Sequence, residues 1–305
     1  MAALTMHYQQ IFNLNDPDTY SAWRAAKLKD YPVSIGELLV SVKDINHLSS
    51  HECQQLTQVC MKTNMVIYRS MTPLSSKLAL RDTCTRFGLK SLDMNLYSDD
   101  DGISALQVSA EKRQFEYIPY SDKAIKWHTD GYYNSPENKI CAMVLHCVTP
   151  ALQGGENQYL DHEIVYTYMR DENPEYIEAL MQEDAMTIPA NIENGVEIRP
   201  AQAGPVFSID PQTGHLHMRY TARTRSITWK DDTKVREAVS FLEHLLSSDL
   251  PYIFNYRLLE NEGILSNNVL HTRTEFMNGV EQKQQRLVYR ARYHERMSSM
   301  PVNNL

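Results

Sequence analysis

Apolar positions in the first ninety residues follow two different periods. Pro17 to Lys29 and Ser49 to Lys62 carry the three-to-four-residue spacing of amphipathic helices, whereas Leu38 to Val42 and Met65 to Tyr68 are short apolar runs that read as strands. Ser75 to Phe87 predicts a further helix, closed by Gly88. From about Leu106 onward the pattern changes. Short apolar or alternating runs (Ile140 to Val148, Val206 to Ile209, Leu216 to Tyr220, Tyr252 to Tyr256 and Leu287 to Tyr293) are separated by Gly, Pro and Asn. That is the patterning of an antiparallel β sandwich or barrel. Two stretches, roughly Asp161 to Gln182 and Asp232 to Ser248, interrupt it as helical insertions, the second with Val235, Val239, Leu242 and Leu246 on one stripe. The expected architecture is mainly β with flanking helices. No repeat, low-complexity tract or Gly/Ser linker divides the chain, so one domain over residues 1–305 is expected, its N-terminal part (1–90) packing on a β core (91–296).

Composition narrows the function classes. With 42% hydrophobic and 22% charged residues in 305, a sizeable buried core is expected. A formal net charge of −8 argues against general attraction to nucleic acid or to an anionic membrane surface. The five cysteines, Cys53, Cys60, Cys84, Cys141 and Cys147, are an odd number without CxxC spacing, and read as reduced thiols in the cytoplasm. Cys53 and Cys60 share a face of a predicted helix and are expected to pack in the core rather than to form a metal or redox pair. The N-terminal residues lack the basic-then-apolar pattern of a signal peptide, and no run of about 18 apolar residues occurs, so nothing points to secretion or a membrane span. A homo-oligomer that exchanges surface through the helical insertions fits the pattern as well as a monomer does.

One segment carries candidate metal chemistry. In Lys126-Trp127-His128-Thr129-Asp130-Gly131 an imidazole and a carboxylate stand two apart, which on a strand or its end places both on one face. Two neutral imidazoles plus one carboxylate, with coordination positions left open, is the ligand set of non-haem Fe(II) oxygenases. HxD alone is a weak signal, and the second histidine must come from elsewhere. Among the eleven histidines, His271 in Asn267-Asn268-Val269-Leu270-His271-Thr272-Arg273 stands out, because an arginine-bearing strand, Arg286-Leu287-Val288-Tyr289-Arg290, follows it.

The order HxD, long gap, His, Arg resembles the TauD/TfdA family of Fe(II)/2-oxoglutarate dioxygenases. The resemblance runs from Met65 to Tyr293. It rests on the Trp127 to Gly131 box, the turn Gly154-Gly155-Glu156-Asn157 after the Pro150 loop, the stretch Arg219-Tyr220-Thr221-Ala222-Arg223, His271 and the Arg286 to Arg290 strand. It implies a double-stranded β-helix (jelly roll) core, with iron(II) held by His128, Asp130 and His271. Arg286 is then the guanidinium for the distal carboxylate of 2-oxoglutarate, a role that suits its planar fork of donors. Asn157 stands where the family usually has a small hydroxyl residue touching the same carboxylate, and its amide can donate instead. Arg290 occupies the place that holds the substrate's anionic group in sulfonate-using relatives, and Arg223 and Tyr132 are implied to border the substrate pocket. The implied reaction consumes 2-oxoglutarate and O₂, releases succinate and CO₂, and hydroxylates a small, anionic organic substrate; a hydroxylated carbon bearing a heteroatom would be cleaved, and desaturation or ring closure stay open. Asp130 argues against halogenation, since halogenating relatives lack the carboxylate. The spacing of Cys53, Cys60 and Cys84 does not supply the zinc module of betaine-hydroxylating relatives. Asn267-Asn268 departs from the usual Asp-Asn-Arg wording of its loop, so a taurine substrate does not follow.

Other residues invite plainer readings. His215 and His217 with Asp210 form a weaker rival metal group; His146 reads as a hydrogen-bonded core histidine; His162 and His294 read as surface residues, and Arg292 as a surface charge near the strand end. Trp127 is expected in the core, Arg219 and Arg225 on a solvated strand edge, and Tyr117, Tyr120, Tyr132 and Tyr133 as an aromatic crowd around the HxD box. Two alternatives to the dioxygenase are a non-catalytic jelly-roll binding protein and a zinc-dependent hydrolase using the same triad.

Overall fold

The computed structural model describes residues 8–94, 101–108, 118–223, 227–281 and 284–298. Its centre is two facing β-sheets. The larger has six strands in the order Leu39–Val42, Met65–Ser70, Glu262–Ser266, Ala142–Thr149, Leu287–Tyr293 and Ser104–Leu106. The first pair is parallel and the rest antiparallel. The smaller has four antiparallel strands, Phe254–Tyr256, Asn157–Leu160, Leu270–Arg273 and Ile125–His128. This is the jelly-roll arrangement expected, and the first ninety residues contribute two strands to the main sheet itself.

The alternation of side chains across the large sheet explains why its strands read as unbroken apolar runs. Met65, Ile67, Met143, Leu145, Ile264 and Val288 point into the core between the sheets, where they join Tyr159, while Leu160 and Leu270, paired with each other, lie on the other face of the small sheet. Their neighbours Val66, Tyr68, Ala142, Val144, Leu265, Ala291 and Tyr293 point outward and are covered by Leu56 and Cys60 of the helix Ser50–Thr63 and by Leu80 and Cys84 of Lys77–Thr85. Ser49 starts the first of these helices with a capping box to Glu52, and Asn64 ends it in the left-handed conformation. Cys60 is fully buried, and Cys53 packs against the same cluster.

The first helical insertion is two helices, not one: His162–Glu172 stops at Asn173, and Pro174 opens a second helix ending at Leu180. The residue before a proline is pushed out of the helical region, and Asn173 serves as the cap of both. The second insertion is the helix Thr233–Ser247, with Val235, Val239, Leu242 and Leu246 buried as expected. No helix among the described residues is long and apolar enough to cross a membrane.

Beneath the insertion lies a buried ion cluster. Lys27 Nζ is 2.7 Å from Asp161 and 2.5 Å from Glu163, and Tyr31 and Asn64 donate to Asp161. Burial alone would raise the Glu163 carboxyl, but the charges of Lys27 and Arg296 override it and hold it at about 2. A carboxyl depressed on folding contributes stability that is present above its unfolded pKa and lost as pH falls through the folded value. Lys27→Met, which takes the nearest cation from two buried carboxylates, is expected to cost about 3–5 kcal/mol in urea denaturation at pH 7. The wild type should lose stability between roughly pH 4.5 and 2, and the variant should lose less over that range.

Candidate active site

Strand pairing builds the centre of the site. Ile125–His128 and Leu270–Arg273 run antiparallel with His271 directly opposite His128, so the two rings meet at 4.2 Å between centroids. Asp130, two residues past His128, completes a group whose ligand atoms all lie within 4.8 Å of one another. The Nδ1 atom of His128 lies 2.9 Å from the Lys126 carbonyl and that of His271 lies 3.0 Å from the Val269 carbonyl. A carbonyl only accepts, so both Nδ1 atoms carry hydrogen and both Nε2 atoms are left as free bases. Burial, reinforced by the His271 ring, pushes His128 down to about 3, and burial lowers His271 against the pull of Asp130. Burial works against ionisation of Asp130, yet Arg290 and Arg292 hold its carboxyl far below the usual range. Two neutral imidazoles and an ionised carboxylate are the protonation states that a metal takes up. Asp130 Oδ2, moreover, is buried with no hydrogen-bond partner, as expected of an atom meant for a ligand. The donor set therefore fits a divalent iron with open positions.

A row of arginines flanks the triad. On the strand Leu287–Tyr293 and the residue before it, Arg286, Val288, Arg290 and Arg292 share a side, while Ala291 and Tyr293 pack in the outer core. Arg286 lines a small cavity with Val288, Cys147, Asn157 and the Gly154-Gly155 turn, and its Nη1 is buried without a partner. Its guanidinium rests 5.0 Å from the Phe276 ring centroid. Gly154 has φ +71°, and a Cβ there would stand 2.1 Å from the Glu275 carbonyl, so only glycine lets the turn close against that segment. Asn157 Nδ2 donates to the Thr272 carbonyl at 2.6 Å, which uses one of its two N–H groups. Arg290 Nη1 is 3.4 Å from Asp130 Oδ1, with Nε and Nη2 unpartnered.

Known proteins similar to this chain place it in a family. Residues 27–292 match the family model described as taurine catabolism dioxygenase TauD, TfdA family. The chain belongs to the TauD/TfdA family. The reaction class of that family, oxidation of a small-molecule substrate at a non-haem iron with 2-oxoglutarate as co-substrate, goes with the membership. A uridine-5'-phosphate dioxygenase from a Streptomyces species is 30% identical over 129 residues, 41% of this chain and 44% of the relative, so the match spans less than half of that protein. Among solved structures, an asparagine oxygenase in complex with Fe(II), 3-hydroxyasparagine and succinate shares the fold at TM-score 0.57, with 12% identity over 84% of this chain and 93% of that one. A taurine dioxygenase from Burkholderia xenovorans gives TM-score 0.56 and 16% identity over 84% and 86%.

Within the TauD/TfdA frame, the remaining predicted residues fall into place or need correction. The segment Tyr220–Ala222 runs beside the HxD box, with Thr221 bridged to His128 and Ala222 N donating to the Trp127 carbonyl. Tyr132 and Arg223 are thereby brought side by side near the triad. Trp127 is core, its Nε1 donating to the Leu246 carbonyl, and His146 is a buried partner of the Tyr68 hydroxyl at 2.8 Å. Three residues depart from their surface readings. His162 is buried, with Nε2 on the Leu216 carbonyl. Arg292 is buried in an ion pair with Asp93 and donates to Tyr133. Arg219 is no solvated edge: it donates to four backbone carbonyls, those of Tyr132, Met186, Gly204 and Gln202. Tyr117 and Arg225 lie outside the described residues. The only group of three or more potential metal ligands among the described residues is the triad, so His215, His217 and Asp210 form no rival.

The residue least visible in sequence is Asn268. It adopts φ +55°, a conformation asparagine tolerates, and its amide clamps the Asp130 peptide: Oδ1 accepts from Asp130 N at 2.8 Å, while Nδ2 donates to the Asp130 and Ile140 carbonyls at 2.9 and 2.7 Å. One side chain thus ties the third ligand to the segment leading into His271. Asn268→Ala is expected to weaken Fe(II) binding roughly 10–100-fold, the range for loss of a group that orients a metal ligand. His271→Ala should abolish stoichiometric binding. Anaerobic equilibrium dialysis with iron analysis measures both.

Proposed function

We propose that this chain hydroxylates, or oxidatively cleaves, a small anionic organic molecule, with His128, Asp130 and His271 as iron ligands and Arg286 and Asn157 at the distal carboxylate of 2-oxoglutarate. The observation that carries the reading is the conjunction of a three-residue ligand group within 4.8 Å and an unpartnered buried donor on Arg286 facing a cavity. A zinc hydrolase or a non-catalytic binding protein gives no reason for that second feature.

Iron(II) with 2-oxoglutarate and O₂ supplies an oxidant able to attack an unactivated C–H bond, with succinate and CO₂ as co-products. The chain's own residues orient the reactants. The Lys126 and Val269 carbonyls fix the imidazole tautomers, and Asn268 fixes the Asp130 peptide. Arg290, beside Asp130 and with two further donors unpartnered, is the residue we assign to the substrate's anionic group, with Arg223 and Tyr132 on the same pocket. The name of the Streptomyces relative, a uridine-5'-phosphate dioxygenase, supports an anionic substrate without identifying it. The proposal also includes one domain over 1–305, whose N-terminal strands belong to the central sheet, and a cytoplasmic protein with reduced thiols. It includes no nucleic-acid or membrane partner, in line with the charge of −8, and leaves room for pairing of copies through the helical insertions.

The test is substrate-stimulated succinate release across carboxylate, sulfonate and phosphate compounds, each paired with its uncharged ester or amide. Stimulation by the anion, with at least a tenfold rise in substrate KM in Arg290→Met, is expected from losing one charge-assisted contact of about 1.5–3 kcal/mol. Equal stimulation by the uncharged partners would refute the anionic-substrate reading.

A further inference from the structure

A second guanidinium, outside the set that sequence and family point to, faces the cavity of Arg286. Arg257 lies just past the strand Phe254–Tyr256, and the cavity is walled by Arg257, Ala151, Gly154, Gly155, Asn157 and Arg286. One Nη of Arg257 donates to the Ala151 carbonyl, while Nε is buried with no partner. Among the described residues neither Arg257 nor Arg286 forms an ion pair with a carboxylate. Glu262, on the strand that follows, is taken by Arg69 and Tyr256. Glu156, whose carboxyl feels the Arg257 charge, is exposed and accepts from Thr274. Cys147, in the same wall, offers no counter-charge, because burial pushes its thiol up to about 12.

Two cations beside one cavity, each with a buried N–H unmatched, are costly unless an anion completes them. We propose that Arg257 is a second guanidinium for the distal carboxylate of the 2-oxo acid co-substrate, so that this end of the site recognises a dicarboxylic 2-oxo acid through two arginines instead of one. The proposal rests on the reading of Arg286 given above. A carboxylate presents about four lone-pair directions, enough for donors from both arginines and the Asn157 amide together. Arg257 also donates to the loop carbonyl at Ala151, which ties this donor to the cavity wall.

Isothermal titration of the Mn(II)-loaded protein under nitrogen tests this, with 2-oxoglutarate and 2-oxobutyrate as the two titrants; the second has the same chelating end but no distal carboxylate. Arg257→Met should weaken 2-oxoglutarate binding at least tenfold and leave 2-oxobutyrate binding unchanged. Arg257→Lys, which keeps the charge and lacks Nε–H, should fall between, and it serves if the Met variant unfolds. A general structural defect would weaken both titrants alike, and that result overturns the role of Arg257. So does a wild-type preference for 2-oxoglutarate that survives in Arg257→Met. A wild-type protein with no preference between the two acids overturns the reading of Arg286 first, and this proposal with it.

Discussion

The site depends on one register. His128 and His271 are direct cross-strand partners in the small sheet, and because side chains alternate along a strand, a slip of one residue would turn one imidazole away from the other. Several separate contacts hold that register. Tyr159 pairs with His271 on its other side, Thr221 bridges to His128, and the Asn268 amide locks the Asp130 peptide onto the segment that enters the His271 strand. The candidate metal ligands come from positions 128, 130 and 271, and the backbone contacts between their segments bring the donor atoms within 4.8 Å of one another. Such preorganisation suits a three-ligand set that would hold a metal while leaving coordination positions open.

Around this centre the chain inverts its own charge. The molecule carries −8 overall, but its interior collects Arg273, Arg286, Arg290 and Arg292, with half-buried Arg257 on the wall of the Arg286 cavity. Asp130 pairs with Arg290 and Asp93 with Arg292. Like charges so close are made tolerable by other means. Arg273 donates to the Ser121 and Lys123 carbonyls, and both Arg273 and Arg286 lie over the Phe276 ring, at 4.9 and 5.0 Å. Burial, with the Arg286 charge adding to it, pushes Arg273 down to about 9. The surplus of buried donors is a standing demand for anions, which matches a reaction whose co-substrate is a dicarboxylate.

How much of this could be read from sequence depended on the range of each interaction. The HxD box and the strand Leu287–Tyr293 were legible because their signals are local, in spacing and apolar run length, and the helix Thr233–Ser247 announced itself through its apolar stripe, whereas the break at Asn173 that splits the first insertion was not read. The union of His128 with His271 needed the family's order of motifs, since nothing local joins residues 143 apart. Arg292 reads as a surface charge because its partner Asp93 lies 199 positions away. Likewise, His162 and Arg219 look exposed until the distant carbonyls that satisfy them are in place. Asn268 was visible only as an unusual wording before His271; its meaning lies in a peptide 138 residues distant.

The central claim is that His128, Asp130 and His271 hold an iron that 2-oxoglutarate joins under the control of Arg286. Anaerobic titration with Fe(II) and 2-oxoglutarate, followed by visible absorption, addresses it most directly. The account predicts a weak charge-transfer band in the wild type, its loss in His128→Ala, and a requirement for at least tenfold more 2-oxoglutarate in Arg286→Ala, as for a lost charge-assisted pair. No band at saturating iron and 2-oxoglutarate, or a band that His128→Ala retains in full, would contradict it.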